Sequence, residues 1–181
     1  MAHWITSIPP PLARWRASLE HAPYRAAATL GACLGNAGTL CALLVAGIVL
    51  QFLPPEPWGH SAAAGLARLT PAGVFLAAVI YAPIIETALG QVLPMEAVHR
   101  LGAPPIAGIL LSALLFACGH YLNGGLAHGV TTFSGGLIFA CAYVSMRWAG
   151  FAPAALAAAT AHAVQNGTVL FVIMPLVPQW A

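Results

Sequence analysis

Residues 72–93 read AGVFLAAVIYAPIIETALGQVL, and this stretch decides what kind of protein the chain is. It holds one charged side chain, Glu86, in 22 residues. As a helix rising 1.5 Å per residue it measures about 33 Å, enough for the hydrocarbon core of a bilayer, about 30 Å thick. Four more stretches share its character, at about 26–53, 105–121, 130–148 and 152–177. Pro54, Pro55, Pro57, Pro71, Pro104, Pro105 and Pro153 stand at or near the joins, where helix punctuation belongs. The whole chain fits the same reading. Of its 181 residues 60% are hydrophobic and 6% charged, against about a quarter charged in a soluble domain. A single core of this size could not hide so much apolar surface from water, and a chain this apolar is not disordered. The expected fold is all-α, a polytopic integral membrane bundle of about five transmembrane helices. Residues 1–25 are expected to form an N-terminal interfacial or cytoplasmic segment and residues 26–178 the membrane domain, with its polar motifs within 72–172.

The charges set orientation. All six basic residues are Arg and all four acids are Glu, a net charge of +2. That is too small and too scattered for nucleic-acid binding, which needs a basic stripe. With the N-terminus in the cytoplasm, Arg14, Arg16, Arg25, Arg100 and Arg147 lie inside and Arg68 alone lies outside, as the positive-inside rule requires. Trp4 and Trp15 beside arginines suit the headgroup layer, so the first residues read as a surface anchor. The expected location is a bacterial inner membrane. Cys33, Cys41, Cys118 and Cys141 lie in apolar runs with no CxxC pair and read as packing residues, not as a disulfide framework.

Ionisable groups inside spans are costly and mark function by default. Three stand out: Glu86, His120 and His162, with Asn166 one turn after His162 on the same helix face. Counting residues from the cytoplasmic ends puts all of them about 15–20 Å up, so three helices can present them to one pocket in the middle or outer half of the bilayer. A buried carboxylate beside an imidazole can deprotonate a water held between them. Attack on a peptide bond then makes an oxyanion, for which His162 and Asn166 offer donors. The same Glu86, His120 and His162 could instead hold zinc with an open fourth position, or relay protons or metal ions across the membrane. The residues leave the cofactor unknown: none is needed for the hydrolytic reading, and zinc is the alternative.

The strings Ala82-Pro83-Ile84-Ile85-Glu86, Leu115-Phe116-Ala117-Cys118-Gly119-His120 and Ala161-His162-Ala163-Val164-Gln165-Asn166 resemble the three motifs of the CPBP intramembrane endopeptidases, the CAAX protease and bacteriocin-processing (Abi) family. Those motifs are EExxxR, FxxxH and HxxxN/D. The second and third are matched by Phe116/His120 and His162/Asn166. The resemblance implies water activation by Glu86 and His120, and an oxyanion hole of His162 and Asn166. The first motif departs: Thr87 replaces its second Glu and Gln91 its Arg. Losing one member of a buried ion pair would strand a charge, whereas losing both leaves a neutral pair that can still hydrogen-bond. Thr87, Gln91 and Phe116 are therefore expected to support the site. The expected activity is a glutamate-type intramembrane endopeptidase cutting near a substrate's membrane anchor, leader or C-terminal sorting tail. Its partners would be a membrane-anchored protein or peptide and the bilayer, with no nucleic acid. A catalytically inactive immunity or scaffolding protein of the same fold is the alternative, supported by the changed first motif.

Other polar features read as structural. Ser134 beside Gly135-Gly136 is a close-packing site; rhomboid proteases place their HxxxN helix before the serine, and here it follows. Cys118 lies about 200° around the helix from His120 and cannot pair with it. His128 reads as a solvated loop residue after span three, and Glu96, His99 and Arg100 as a solvated inner rim. Gly31 and Gly35 are small-xxx-small packing with Asn36 making one polar contact. Tyr121 and Asn123 lie near His120 as candidate substrate contacts.

Overall fold

In the computed structural model, which describes residues 21–52 and 65–176, no strand appears and four helices are long and apolar enough to cross a membrane. Helix α1 is Pro23–Phe52. Helix α2 runs over Pro71–Arg100, α3 over Pro105–Met146 and α4 over Phe151–Leu176. The chain is an integral membrane helical bundle. The expected surface anchor with Trp4, Arg14, Trp15 and Arg16, and the joins at Pro54, Pro55 and Pro57, lie outside the described residues.

Helix α3 differs from the sequence reading. Spans three and four were expected to be separated by a short loop. Instead the helix continues to Met146 with a single break at Gly125, whose φ of 81° and ψ of −173° are open to glycine and strained for other residues. The chain reverses there. A Cβ at Gly136 would lie 2.9 Å from the Ala113 Cα, and the Phe116 and Phe139 rings pack edge to face at 5.7 Å. Residues 23 apart on a straight helix would be about 35 Å apart. The limbs on either side of Gly125 are each about 30 Å long, so one broken helix supplies two of the five expected passes.

Helix α2 starts at a Thr-Pro signal: Thr70 Oγ1 accepts the Gly73 N–H at 3.2 Å and Pro71 occupies the first turn. It then widens twice into π-turns, at Phe75–Tyr81 and Ala88–Val92, and α4 does the same at Val169–Ile173. Each π-turn closes immediately before a Pro-preceding residue: Pro83, Pro94 and Pro175 follow. A proline inside a helix lacks an N–H and crowds the carbonyl four residues back. Widening the preceding turn to five-residue bonds relieves that crowding.

Small residues let the helices close on one another. A Cβ at Gly31 would lie 2.5 Å from the Ala157 carbonyl oxygen, and one at Gly35 2.5 Å from that of Ala161. This is the small-xxx-small contact between α1 and α4, and Asn36 Nδ2 donates locally to the Ala32 carbonyl at 3.0 Å. Ala154, Ala157, Ala158 and Ala161 are buried with Phe116, Phe139, Tyr143 and Met95, while Leu40, Leu44, Leu76 and Ile84 face outward to lipid. All four cysteines are free, but Cys33 and Cys118 are exposed on the lipid side, so only Cys41 and Cys141 are partly packed. At the end of the bundle carrying Arg100 and Arg147, the expected solvated rim is instead partly a clamp. Arg147 donates to both Glu96 oxygens at 2.7 and 3.2 Å, and the Tyr143 hydroxyl donates to Glu96 at 2.6 Å, tying α2 to the second limb of α3.

Candidate active site

Glu86, His120 and His162 come together. Glu86 Oε2 lies 3.5 Å from His120 Nε2 and 3.6 Å from His162 Nε2. Both separations are longer than a well-formed hydrogen bond and set the edges of two imidazoles against one carboxylate oxygen. Each imidazole is held by its other nitrogen. His120 Nδ1 is 2.8 Å from the Phe116 carbonyl oxygen. A carbonyl only accepts, so Nδ1 carries a proton and donates it, which turns Nε2 toward Glu86. His162 Nδ1 is 3.3 Å from Thr87 Oγ1, both residues being buried. The His162 ring stacks on Phe139 at 4.7 Å and meets the edge of Phe116 at 5.2 Å, while Phe116 also packs on His120 at 4.3 Å. Phe116 thus supports both imidazoles.

Asn166 lies on the same face of α4, with one N–H already committed. The Ala82 N–H bonds the Ala77 carbonyl, five residues back. In that register the partner for Ala78 would be residue 83, a proline without an N–H. The orphaned Ala78 carbonyl accepts from Asn166 Nδ2 at 2.9 Å. Farther along α2 the Gly90 carbonyl accepts from the buried Ser112 Oγ at 2.7 Å. Side chains of α4 and α3 thus bond carbonyls of α2 on each side of Glu86.

Gln91 behaves differently from expectation. It is fully buried and neither end of its amide has a hydrogen-bond partner, so the neutral Thr87–Gln91 pair is not formed; Thr87 turns to His162. Ser134 Oγ donates to the Thr131 carbonyl at 2.6 Å, as a packing serine does. Asn123 Nδ2 donates to the Gly119 carbonyl at 3.1 Å, and Tyr121 is exposed.

Glu86, His120 and Asn166 line a cavity of about 400 Å³. Its farther walls are apolar, including Leu43, Leu66, Leu170 and Met174. It therefore runs toward the end of the bundle where α1 and α4 finish and α2 begins. His162 is 2% exposed and lies behind the lining residues, not among them. The sequence reading missed Gln165 and misplaced His128. His128 is not in a solvated loop: it follows the Gly125 break inside α3, its ring 5.1 Å from that of His120, and lines the cavity. No group of three His, Cys or acidic side chains among the described residues is arranged as a metal site.

No match was found among curated proteins or among solved structures. A family model described as type II CAAX prenyl endopeptidase Rce1-like matches residues 68–168. That range is more than half of the chain and contains Glu86, His120, His162 and Asn166, and on it the chain belongs to the Rce1-like family of type II CAAX prenyl endopeptidases.

Proposed function

We propose that the chain is a glutamate-type intramembrane endopeptidase that hydrolyses a peptide bond near a substrate's membrane anchor, leader or C-terminal tail. The observation that carries this reading is the Glu86 carboxylate set between two oriented imidazoles at the polar end of an otherwise apolar cavity. A water between Glu86 and His120 donates to both acceptors. Glu86 takes one proton as the water oxygen bonds to the scissile carbonyl carbon. The carbonyl oxygen becomes an oxyanion and receives the remaining Asn166 N–H and the His162 Nε2–H. The second donor exists when the Thr87 hydroxyl donates to Nδ1. Collapse re-forms the carbonyl and breaks the C–N bond, and the proton held by Glu86 passes to the leaving amine. The apolar reach of the cavity suits the substrate's aliphatic or lipidated segment. By the arginine bias it opens on the outer side of a bacterial inner membrane, which favours an exported protein with a hydrophobic sorting tail.

The test uses protein in nanodiscs with two fluorogenic peptides, one ending in a prenylated CAAX sequence and one in an apolar C-terminal tail. Glu86→Gln is expected to lower kcat by about 10²–10⁴-fold while the protein still folds. Because every step above is a proton transfer among side chains, chelation with EDTA is expected to leave the rate unchanged. Full activity in Glu86→Gln would overturn the mechanism. An absence of cleavage by the unaltered chain, with membrane-anchored proteins of unchanged size in cells lacking it, would favour the scaffolding alternative. N- and C-terminal tags reached from outside spheroplasts would report orientation.

A further inference from the structure

Gln165 is 9% exposed, and its Oε1 is buried without a hydrogen-bond partner. Such groups are rare in folded proteins because leaving one unpaired is costly. This one has room made for it from two sides. A Cβ at Gly38 on α1 would lie 2.5 Å from Oε1, and a Cβ at Gly135 on the second limb of α3 would lie 3.1 Å from Nε2. Two glycines on different helices therefore make a slot for the amide, and the slot opens on the cavity that Glu86 and His120 line. Oε1 itself is enclosed against Gly38, but Gln165 lines the cavity, and rotation of the terminal amide within this slot brings a polar atom to an occupant.

Position says which part of the occupant. Gln165 is three residues beyond His162 on one helix face, about 5 Å farther out. The packing of the second α3 limb repeats that step: Phe139 stacks on His162 and Gly135 faces Gln165. An extended chain covers about 3.3–3.6 Å per residue. A peptide whose scissile carbonyl lay at Glu86 would thus pass Gln165 one to two residues away. A primary amide offers donors and an acceptor, the complement of a peptide group. We propose that Gln165 is a main-chain-binding residue that pairs with a substrate peptide group one to two residues on the outward side of the scissile bond. It fixes the register of an extended substrate whatever its side chains. The inference rests on the endopeptidase reading for its scissile bond, but it is read out by binding.

The test measures the affinity of two fluorescent peptides, one with a prenylated CAAX end and one with an apolar C-terminal tail, for Glu86→Gln and for Glu86→Gln/Gln165→Met in nanodiscs. Methionine keeps length and removes both hydrogen-bonding atoms. The second substitution is expected to raise Kd about tenfold with either probe. The melting temperature should be unchanged or higher, since an unpartnered amide is removed. Replacing the peptide's amides by esters one position at a time is expected to weaken binding to Glu86→Gln at one position more than the rest, and to lose that excess when Gln165 is Met. Equal affinities, or identical ester profiles, would overturn the assignment. Should the unaltered chain cleave neither probe while the Kd difference persists, proteolysis falls and the amide site stands.

Discussion

Thr87→Val isolates the contact that the sequence pattern least anticipates. Valine matches threonine in shape and removes only the hydroxyl, whose partner is His162 Nδ1 at 3.3 Å. Both residues are 2% exposed, so no water replaces it. Leaving one buried partner unsatisfied costs about 1–3 kcal/mol. At 3.3 Å the bond is longer than the usual range, which puts the expected cost near the low end, about 1 kcal/mol. If that energy holds the His162 ring with Nε2–H directed at the developing oxyanion, it is lost in the transition state and not in substrate binding. The expected result is a kcat about five- to tenfold lower with KM unchanged. Thr87→Ser restores the hydroxyl at the expense of a methyl group and is expected to recover kcat even if its melting temperature falls. The assay is steady-state cleavage of the prenylated or apolar-tailed peptide in nanodiscs, with thermal unfolding in parallel. A Val variant with unaltered kcat would refute the reasoning, as would Ser and Val variants that lose kcat equally.

Two further perturbations follow from the same geometry. Thr87→Glu places a carboxylate in a buried site with no cation beside it, and is expected to cost about 3–5 kcal/mol, read as lost folded yield; adding Gln91→Arg on the next turn of the same face should recover much of it, and a single variant as stable as the double would disprove a pairing between these positions. Gly125→Ala is expected to lower stability by about 1–3 kcal/mol because the φ of 81° with ψ near 180° is strained for any residue with a Cβ. The control is Gly119→Ala on the same helix, where an added Cβ would meet nothing within 4 Å; equal melting temperatures for the two variants would refute a strained reversal at Gly125.

The tightest constraint on the site comes from helix chemistry that hydropathy does not register. Pro83 reads in sequence as one more residue of an apolar run. In the fold it widens the turn before Glu86, orphans the Ala78 carbonyl and gives Asn166 a partner 88 residues away. Asn166 then has a fixed amide, one N–H spent on α2 and one left for the cavity. Ser112 adds a second tie to α2 at the Gly90 carbonyl. Glu86 is held between two such ties, which supplies the rigidity that catalysis by positioned groups needs.

The sequence by itself determined the solvent, the helical class and the residues to watch. Its apolar runs are long enough to span lipid, and within them a Glu, two His and an Asn are so costly that each had to be explained. Tertiary structure alone decided how those residues are held. A turn between residues 121 and 130 shows in the sequence, where His, Asn and Gly interrupt the apolar run, but that a single glycine, Gly125, breaks an otherwise continuous helix does not. The same is true of Glu96 pairing with Arg147, of Thr87 turning to His162 instead of Gln91, and of Gln165 and His128 facing the cavity. Burial in lipid is a property of single residues and can be read one residue at a time. A hydrogen bond or a cavity wall needs two or three helices brought to within a few ångströms, and that proximity exists only once the chain has folded.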